Sequence, residues 1–280
     1  MLDVAESRVC AIVLLAGILI IPPLSATRGG TRMRVLHFPV DRSLGVVSVA
    51  DWRVLETRDD ARWQALGEAV GEVSIPGGKA VKLDLRRDEG KDLSPLAALE
   101  PNDLQVLSCE SVELVDDDLR HIAHLTSLRD IDLGGTAIHG TGLKHLAGLR
   151  LLKRLWLSET QVGDTDLACL VNLPSLRGLG LSRTPTSDAG MVHVGKMTAL
   201  ESLDLSAGVG DEGLGHLRAL VNLRWLSAGN SGVTDEGLAH LEGMTRLEYL
   251  NLNNAQISDA GLIHLKSMAE LRDLSLYGTG

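Results

Sequence analysis

Aromatic residues are almost absent from this 280-residue chain: four Trp, two Tyr and one Phe make up 2% of it, against 44% hydrophobic residues overall. A core of that composition is aliphatic, built from many similar side chains rather than a few large rings. Cysteine is as scarce. Cys10 falls in an apolar leader, Cys109 takes an inward strand position usually held by Leu, and Cys169 lies on a helix two repeats later. Two strand spacings already exceed the roughly 7 Å over which a disulfide closes, so no disulfide framework is expected. Clustered Lys and Arg are missing too. With a formal net charge of -10, the chain is not expected to bind nucleic acid, which requires phosphate neutralisation. No H-E-x-x-H, C-x-x-C, G-x-S-x-G or P-loop sequence occurs, and neither catalytic residues, nor a metal site, nor a cofactor is expected.

What the chain does have is a period. Leu104, Leu128, Leu152, Leu176, Leu200, Leu223, Leu247 and Leu271 open successive units of 24 residues, with only the step from Leu200 to Leu223 one residue short. A fixed period of this length means a solenoid. In the unit from Leu247, Leu250 and Leu252 alternate with Tyr249, Asn251 and Asn253, the spacing of a half-buried strand. Leu262, Leu265 and Met268 then recur at the spacing of one helix face, with Ile257 at the bend and Ser258 and Asp259 as the helix start. No unit can bury these residues alone, so neighbours must stack and their strands form a parallel sheet.

The units resemble those of the leucine-rich repeat family, in the form L-x-x-L-x-L-x-x-T-x-V-T-D-x-G-L-x-x-L. Thr136, Thr160 and Thr184 fall at the Thr position, and Val233, Thr234, Asp235, Gly237 and Leu238 match V-T-D-x-G-L. The resemblance covers residues 80–280 and looks most like leucine-rich repeat proteins exported by bacteria. It implies an α/β solenoid, curved, with a parallel β-sheet on the concave face and short helices on the convex face, ordinarily used to bind protein partners. The units are also similar to those of F-box leucine-rich repeat proteins, which implies an intracellular substrate-recognition adaptor as the alternative. Against it, the recurring strand-end Cys and a recognisable F-box are missing, and the leader argues for export.

Residues 9–21 form an uninterrupted apolar or small run followed by Pro22, Pro23 and the A-x-A-like Leu24, Ser25 and Ala26. Thirteen residues suit a signal-peptide core better than a membrane span, which needs about 20. Residues 1–26 are therefore expected to be a signal peptide or an N-terminal membrane anchor, and the protein to be secreted or held in the cell envelope. Residues 27–79 lack the repeat phase and read as a small β-rich N-terminal cap. Within them R-V-L-H-F-P and G-V-V-S-V-A-D alternate like strands, residues 59–70 fit a helix or a strand, and E-V-S-I-P-G-G-K-A-V-K-L-D-L predicts a hairpin through Pro76, Gly77 and Gly78. At the other end Leu274 and Leu276 sit beside an uncovered edge, which implies a truncated product or an end-to-end association with a partner or a second copy.

Three further patterns bear on function. Residues 208–213 spell G-x-G-x-x-G, but the next unit reads S-G-V-T-D-E-G at the same place, so the glycines follow from the repeat phase and its one-residue deletion. His121, His145, His193, His216, His240 and His264 form a ladder with one member per unit, a row rather than a converging metal site, suited to packing or hydrogen bonding between adjacent helices. Asp116, Asp164, Asp188, Asp211, Asp235 and Asp259 form a second ladder at the bend, where carboxylates satisfy unpaired helix N–H groups.

Beyond residue 100 the only aromatics are Trp156, Trp225, Tyr249 and Tyr277, all at outward strand positions. Asp130, Asp132, Arg154, Glu159, Arg183, Asp204, Asn230, Asn251, Asn253 and Asp273 surround them. Exposed rings amid polar groups are what binding hot spots look like. The expected partner is a protein or peptide, with a glycan as a further option. Trp156, Trp225, Tyr249 and Tyr277 would be the anchors, and Arg154, Asp204 and Asn251 would set polarity. The bland alternative is that aromatics simply favour strands and tile a solvated sheet.

Overall fold

A computed structural model describes residues 33–57, 60–87 and 92–280. The apolar run at residues 9–21, and with it the expected leader or anchor, lies outside these residues. Among them no helix is long and apolar enough to cross a membrane.

The strands are β1 (Arg34–His37), β2 (Gly45–Asp51), β3 (Gln64–Glu68), β4 (Glu72–Ile75), β5 (Lys79–Leu85), β6 (Val106–Ser108), β7 (Asp130–Asp132), β8 (Arg154–Trp156), β9 (Gly178–Gly180), β10 (Ser202–Asp204), β11 (Trp225–Ser227), β12 (Tyr249–Asn251) and β13 (Asp273–Ser275). Eleven form one sheet in the order β13-β12-β11-β10-β9-β8-β7-β6-β5-β2-β3, and β1 and β4 form an antiparallel pair of their own. From β5 to β13 the pairing is parallel and in register, one strand per repeat. Register puts Leu83, Leu107, Ile131, Leu155, Leu179, Leu203, Leu226, Leu250 and Leu274 in a single rung. All but Leu274 are inaccessible to solvent. A buried aliphatic side chain contributes about 1.5–3 kcal/mol, so each coil is stabilised by a handful of such residues only when both its neighbours are present.

The rest of the repeat supports that rung. The hydroxyls of Thr136, Thr160 and Thr184 donate to the carbonyls of Leu133, Leu157 and Leu181 at 2.6–2.7 Å, closing the turn after each strand from inside the core. Beside them the chain passes through left-handed backbone at Ser111, Gly135, Glu159, Arg183, Asn230, Asn254 and Gly278. That conformation costs an ordinary L-residue about 1–2 kcal/mol, least for Gly and Asn. The short repeat has no such residue: Leu205 to Asp211 spans one residue fewer than Leu181 to Asp188. Its missing residue is thus absorbed in the turn after β10, and β10 still pairs in register with β9 and β11.

The helical segments are short. Asp188–Val194, Asp211–His216 and Asp235–Leu238 are α-helical, whereas Asp116–Ile122, Thr141–Gly148, Asp164–Asn172 and Gly261–Ser267 are 3-10 turns. Their starts explain the D-x-G of the repeat. The Asp ladder reaches forward into the next coil rather than back onto its own helix. Asp164 accepts from the N–H and hydroxyl of Ser187, Asp211 from those of Thr234, and Asp235 from those of Ser258. Asp116 accepts from the N–H groups of His139 and Gly140 and from Thr141, and Asp188 from the N–H of Gly210. The glycine two places after each receiving Asp position is where the incoming carboxylate or its backbone lies. A Cβ on Gly190, Gly213, Gly237 or Gly261 would stand 2.2–2.5 Å from the Oδ1 of Asp164, Asp188, Asp211 or Asp235.

One coil inverts the arrangement. Gly140 stands where the ladder would have Asp, and in the following coil the glycine is replaced by Asp166, whose carboxylate fills that space and accepts from the N–H of Gly163 at 2.9 Å. Asp118 does the same for Val115 in the first helical coil. A carboxylate therefore occupies each of these joints, supplied from either side.

Hydrogen bonding sets the acidity of two members of this ladder, Asp116 and Asp235. The Ser258 hydroxyl and N–H hold the Asp235 carboxyl below its ordinary value near 3.8. Burial works against ionisation of Asp116, but Thr141 and the N–H groups of Gly142, Gly140 and His139 outweigh it and lower its pKa too. A carboxyl with a depressed folded-state pKa contributes stability that is whole above the unfolded value and lost as pH falls through the folded one. Thermal midpoints should therefore drop steeply below about pH 4, and Asp235→Asn with Asp116→Asn should flatten that drop while lowering the midpoint at pH 7. Circular dichroism melts across that range check it. An acid limb of unchanged steepness in the double variant would exclude these two carboxylates as its source.

The N-terminal strands differ from the sequence expectation at one point. The hairpin through Pro76, Gly77 and Gly78 does not form: β4 pairs antiparallel with β1, and β5 pairs antiparallel with β2 while offering its other edge to β6. Length and pattern decide this. β2 gives β5 seven paired residues, with Val47 and Val49 opposite Leu83 and Val81 on the core face, whereas β4 has four residues to offer. Residues 59–70, which fitted helix or strand, contain the strand β3 on the far edge of β2. Leu36, Phe38, Leu44 and Ile75 are buried in the main core and close its first end.

Candidate partner-binding face

On the solvent face of the parallel strands, register produces two rows. Lys82, Val106, Asp130, Arg154, Gly178, Ser202, Trp225, Tyr249 and Asp273 form the first; Asp84, Ser108, Asp132, Trp156, Gly180, Asp204, Ser227, Asn251 and Ser275 form the second. Trp225 and Tyr249 are direct neighbours and stack with ring centroids 5.1 Å apart and planes within 8°. Each therefore spends one face on the other. Trp156 lies in the second row with its ring over Gly180, where a Cβ would come within 2.6 Å of Cε3. Tyr277 follows β13 and is 80% exposed. The four rings thus share a face but not a cluster: two stack, one covers a glycine and one stands at the last coil.

The polar residues expected around them are mostly engaged with one another. Arg154 Nε is paired with Asp130 Oδ2. Asn251 accepts from the N–H of Asn253, and Asn253 in turn accepts from Ser275 and from the N–H of Tyr277. Asn254 donates to Asn230, and Arg183 to Glu159, both across one repeat on the turns that follow the strands. Burial raises the pKa of Asp204, opposed by the Ser227 hydroxyl. Burial also raises that of Asp132, with the N–H of Gly134 opposing and Glu110 and Asp130 adding to the rise.

Sequence reasoning missed an arm over this face. Between β2 and β3 the chain leaves the sheet as a helical turn, Val54–Thr57, and drops Val54 and Leu55 onto Ala50, Ala80 and Val106, with Trp63 alongside. These contacts cover strand positions that would otherwise face water. Above them Arg129 sits over the Trp52 ring at 5.9 Å. Glu56 receives the Lys153 ammonium on both oxygens at 2.7 Å, and that bond, followed by the nearby Lys153, Arg129 and Arg154 charges against a burial cost, holds Glu56 below the usual carboxylate range. The available signal was the outward Ala50 and Ala80, small residues where a solvated sheet would carry polar ones.

The arm divides the face into two clefts. One, of about 210 Å³, lies beneath Val54, Leu55 and Trp63 over Asp130, Asp132 and Trp156. The other, of about 400 Å³, runs from Leu55, Glu56 and Thr57 to Trp225, between Arg154 and Arg224.

Two other patterns make contacts within the solenoid. The N–H of Gly210 in the G-x-G-x-x-G segment is held by Asp188, and a Cβ on Gly208 would stand 2.6 Å from the Thr186 carbonyl. His264 of the histidine ladder pairs with Glu242 one coil back at 2.6 Å. Among the described residues no three His, Cys, Asp or Glu side chains converge to hold a metal ion. Cys109 is buried, and burial pushes its thiol far up; Cys169 is half-buried, and both are free thiols.

No family model matches the sequence, and no curated protein does. Among solved structures the chain is similar to an internalin C2 from Listeria monocytogenes, with 24% identity, a TM-score of 0.59, and 70% of this chain and 80% of that one covered. An internalin, inlF, from the same organism aligns at 17% identity with a TM-score of 0.40, over 72% of this chain and 80% of that one. The nine in-register parallel strands and the first of these likenesses lead to one conclusion about architecture: the chain has the leucine-rich repeat fold, an α/β solenoid with a small N-terminal sheet closing its first coil.

Proposed function

We propose that this protein is a non-enzymatic binding protein that takes a polypeptide partner along the solvent face of its sheet, at the cell envelope or outside the cell. The Trp225–Tyr249 stack carries the reading. Two large rings at half-buried outward positions have no role in the core, and their edges meet water beside an open cleft. Such anchors, rigid and amphipathic, are the residues on which interfaces concentrate their energy. Asp204 stands on the strand beside Trp225 and Asn251 on that of Tyr249, while Arg154, Trp156 and Tyr277 are separate contacts farther along the same face. Export rests on the apolar run at residues 9–21.

The test is Trp225→Ala with Tyr249→Ala in the folded protein, using immobilised protein to recover the partner and calorimetry to measure it. A hot-spot pair should cost at least about 2 kcal/mol, near thirtyfold in Kd. Unchanged affinity in a variant with unchanged circular dichroism removes the stack from the site.

A further inference from the structure

We propose that the cleft between the arm and Trp225 is a receptor slot for an acidic side chain of an extended polypeptide, and that Glu56 occupies its rim in place of that side chain when no partner is bound. The proposal deepens the sheet-face reading and rests on it. In the first outward row, Arg154 and Trp225 are separated only by Gly178 and Ser202, which lack the bulk to fill the space between them. That absence is the cleft of about 400 Å³. Four cations converge on it, and each already holds a carboxylate: Lys153 that of Glu56, Arg154 that of Asp130, Arg177 that of Glu201 and Arg224 that of Glu248.

A second feature points inward to a ligand. Ser202 is 3% exposed and lines the cleft, yet its hydroxyl makes no hydrogen bond. A buried polar group without a partner is costly and calls for one. The third is the arm itself. Glu56 descends onto Lys153 with both oxygens engaged, although it is largely exposed and 97 residues away in the chain. The rim thus already receives a carboxylate delivered by a short peptide segment from above. A partner carboxylate would exchange with Glu56 at Lys153, draw on Arg177 and Arg224, reach the Ser202 hydroxyl and lay its backbone or an apolar neighbour against the side of Trp225 that faces the cleft.

The probe is a fluorescein-labelled hexapeptide of alternating Leu and Glu, compared by fluorescence polarisation with its Leu and Gln counterpart on the full chain. The Glu peptide should bind at least tenfold more tightly than the Gln peptide. Glu56→Gln should tighten it severalfold by vacating the rim, and Arg177→Ala with Arg224→Ala should weaken it tenfold or more. Ser202→Ala should weaken it with an unchanged or raised Tm, whereas a merely structural hydroxyl would leave affinity alone. Equal binding of both peptides overturns the carboxylate slot and leaves the sheet-face reading standing. Binding that ignores the Arg177 and Arg224 changes, or its absence at millimolar peptide even in Glu56→Gln, overturns the slot as well. Displacement of the Glu peptide by an acidic oligosaccharide that itself binds more tightly would overturn the assignment to a polypeptide. The sheet-face reading falls separately, on the Trp225 and Tyr249 variant.

Discussion

Leu203→Ala is expected to destabilise the folded chain by about 2–5 kcal/mol, the range for truncating a buried leucine in a core that cannot collapse around the loss. Leu203 is inaccessible to solvent and touches rungs on both sides, Leu179 and Leu226. In a stack held by nearest-neighbour interfaces, one cavity weakens two of them at once. Leu274 belongs to the same rung but is 38% exposed. Leu274→Ala should therefore cost about 1–2 kcal/mol at most, since over a third of its surface stays in water and it has a paired strand on one side only. Chemical denaturation of the two variants provides the comparison. Equal losses would mean that the rung is not the unit of stability.

The Asp and Gly joint predicts a reversal of sign. Gly237 sits in a helical segment at ordinary backbone angles, where Gly→Ala normally stabilises by a few tenths to about 1 kcal/mol. Here its Cβ would lie 2.2 Å from Asp211 Oδ1, so Gly237→Ala should instead destabilise by about 1–3 kcal/mol. Asp211→Ala removes the acceptor of the Thr234 N–H and hydroxyl and should cost about as much. Together they should cost less than their sum, because the new methyl then fills the space the carboxylate has left. Gly243→Ala, with nothing within 4 Å of its Cβ, is the control and should be neutral or stabilising. Additive losses across the cycle would show that the two positions do not share that space.

How much of this could be read from the chain follows from where the information lies. The rung was legible because Leu107, Leu155, Leu203 and Leu250 repeat at fixed spacing, and stacking converts spacing into contact. The Trp225 and Tyr249 stack is equally available, since residues 24 apart share a row, although position alone presents the two rings as separate anchors. The Asp ladder was recognised as a feature of helix starts, while its direction was not: periodicity places a carboxylate at a bend without saying which coil its oxygens reach. Asp166 and Asp118, standing in for glycine, were the clue. The arm, marked in the sequence only by the outward Ala50 and Ala80, and the pairing of β1 with β4 are harder to read for a different reason. Each is a single long-range contact, and a segment that occurs once carries no internal comparison. Leu55 reads as one more apolar residue until it is found over Ala80.

The short repeat has a practical consequence. Losing a residue after Asp204 left both neighbouring strand pairings intact, so the lip that follows each strand tolerates changes in length that the ribs do not register. Foreign loops inserted beside Ala207, in the turn after β10, would have both ends fixed by strands that keep their register, turning a natural deletion into a mounting point for new recognition elements.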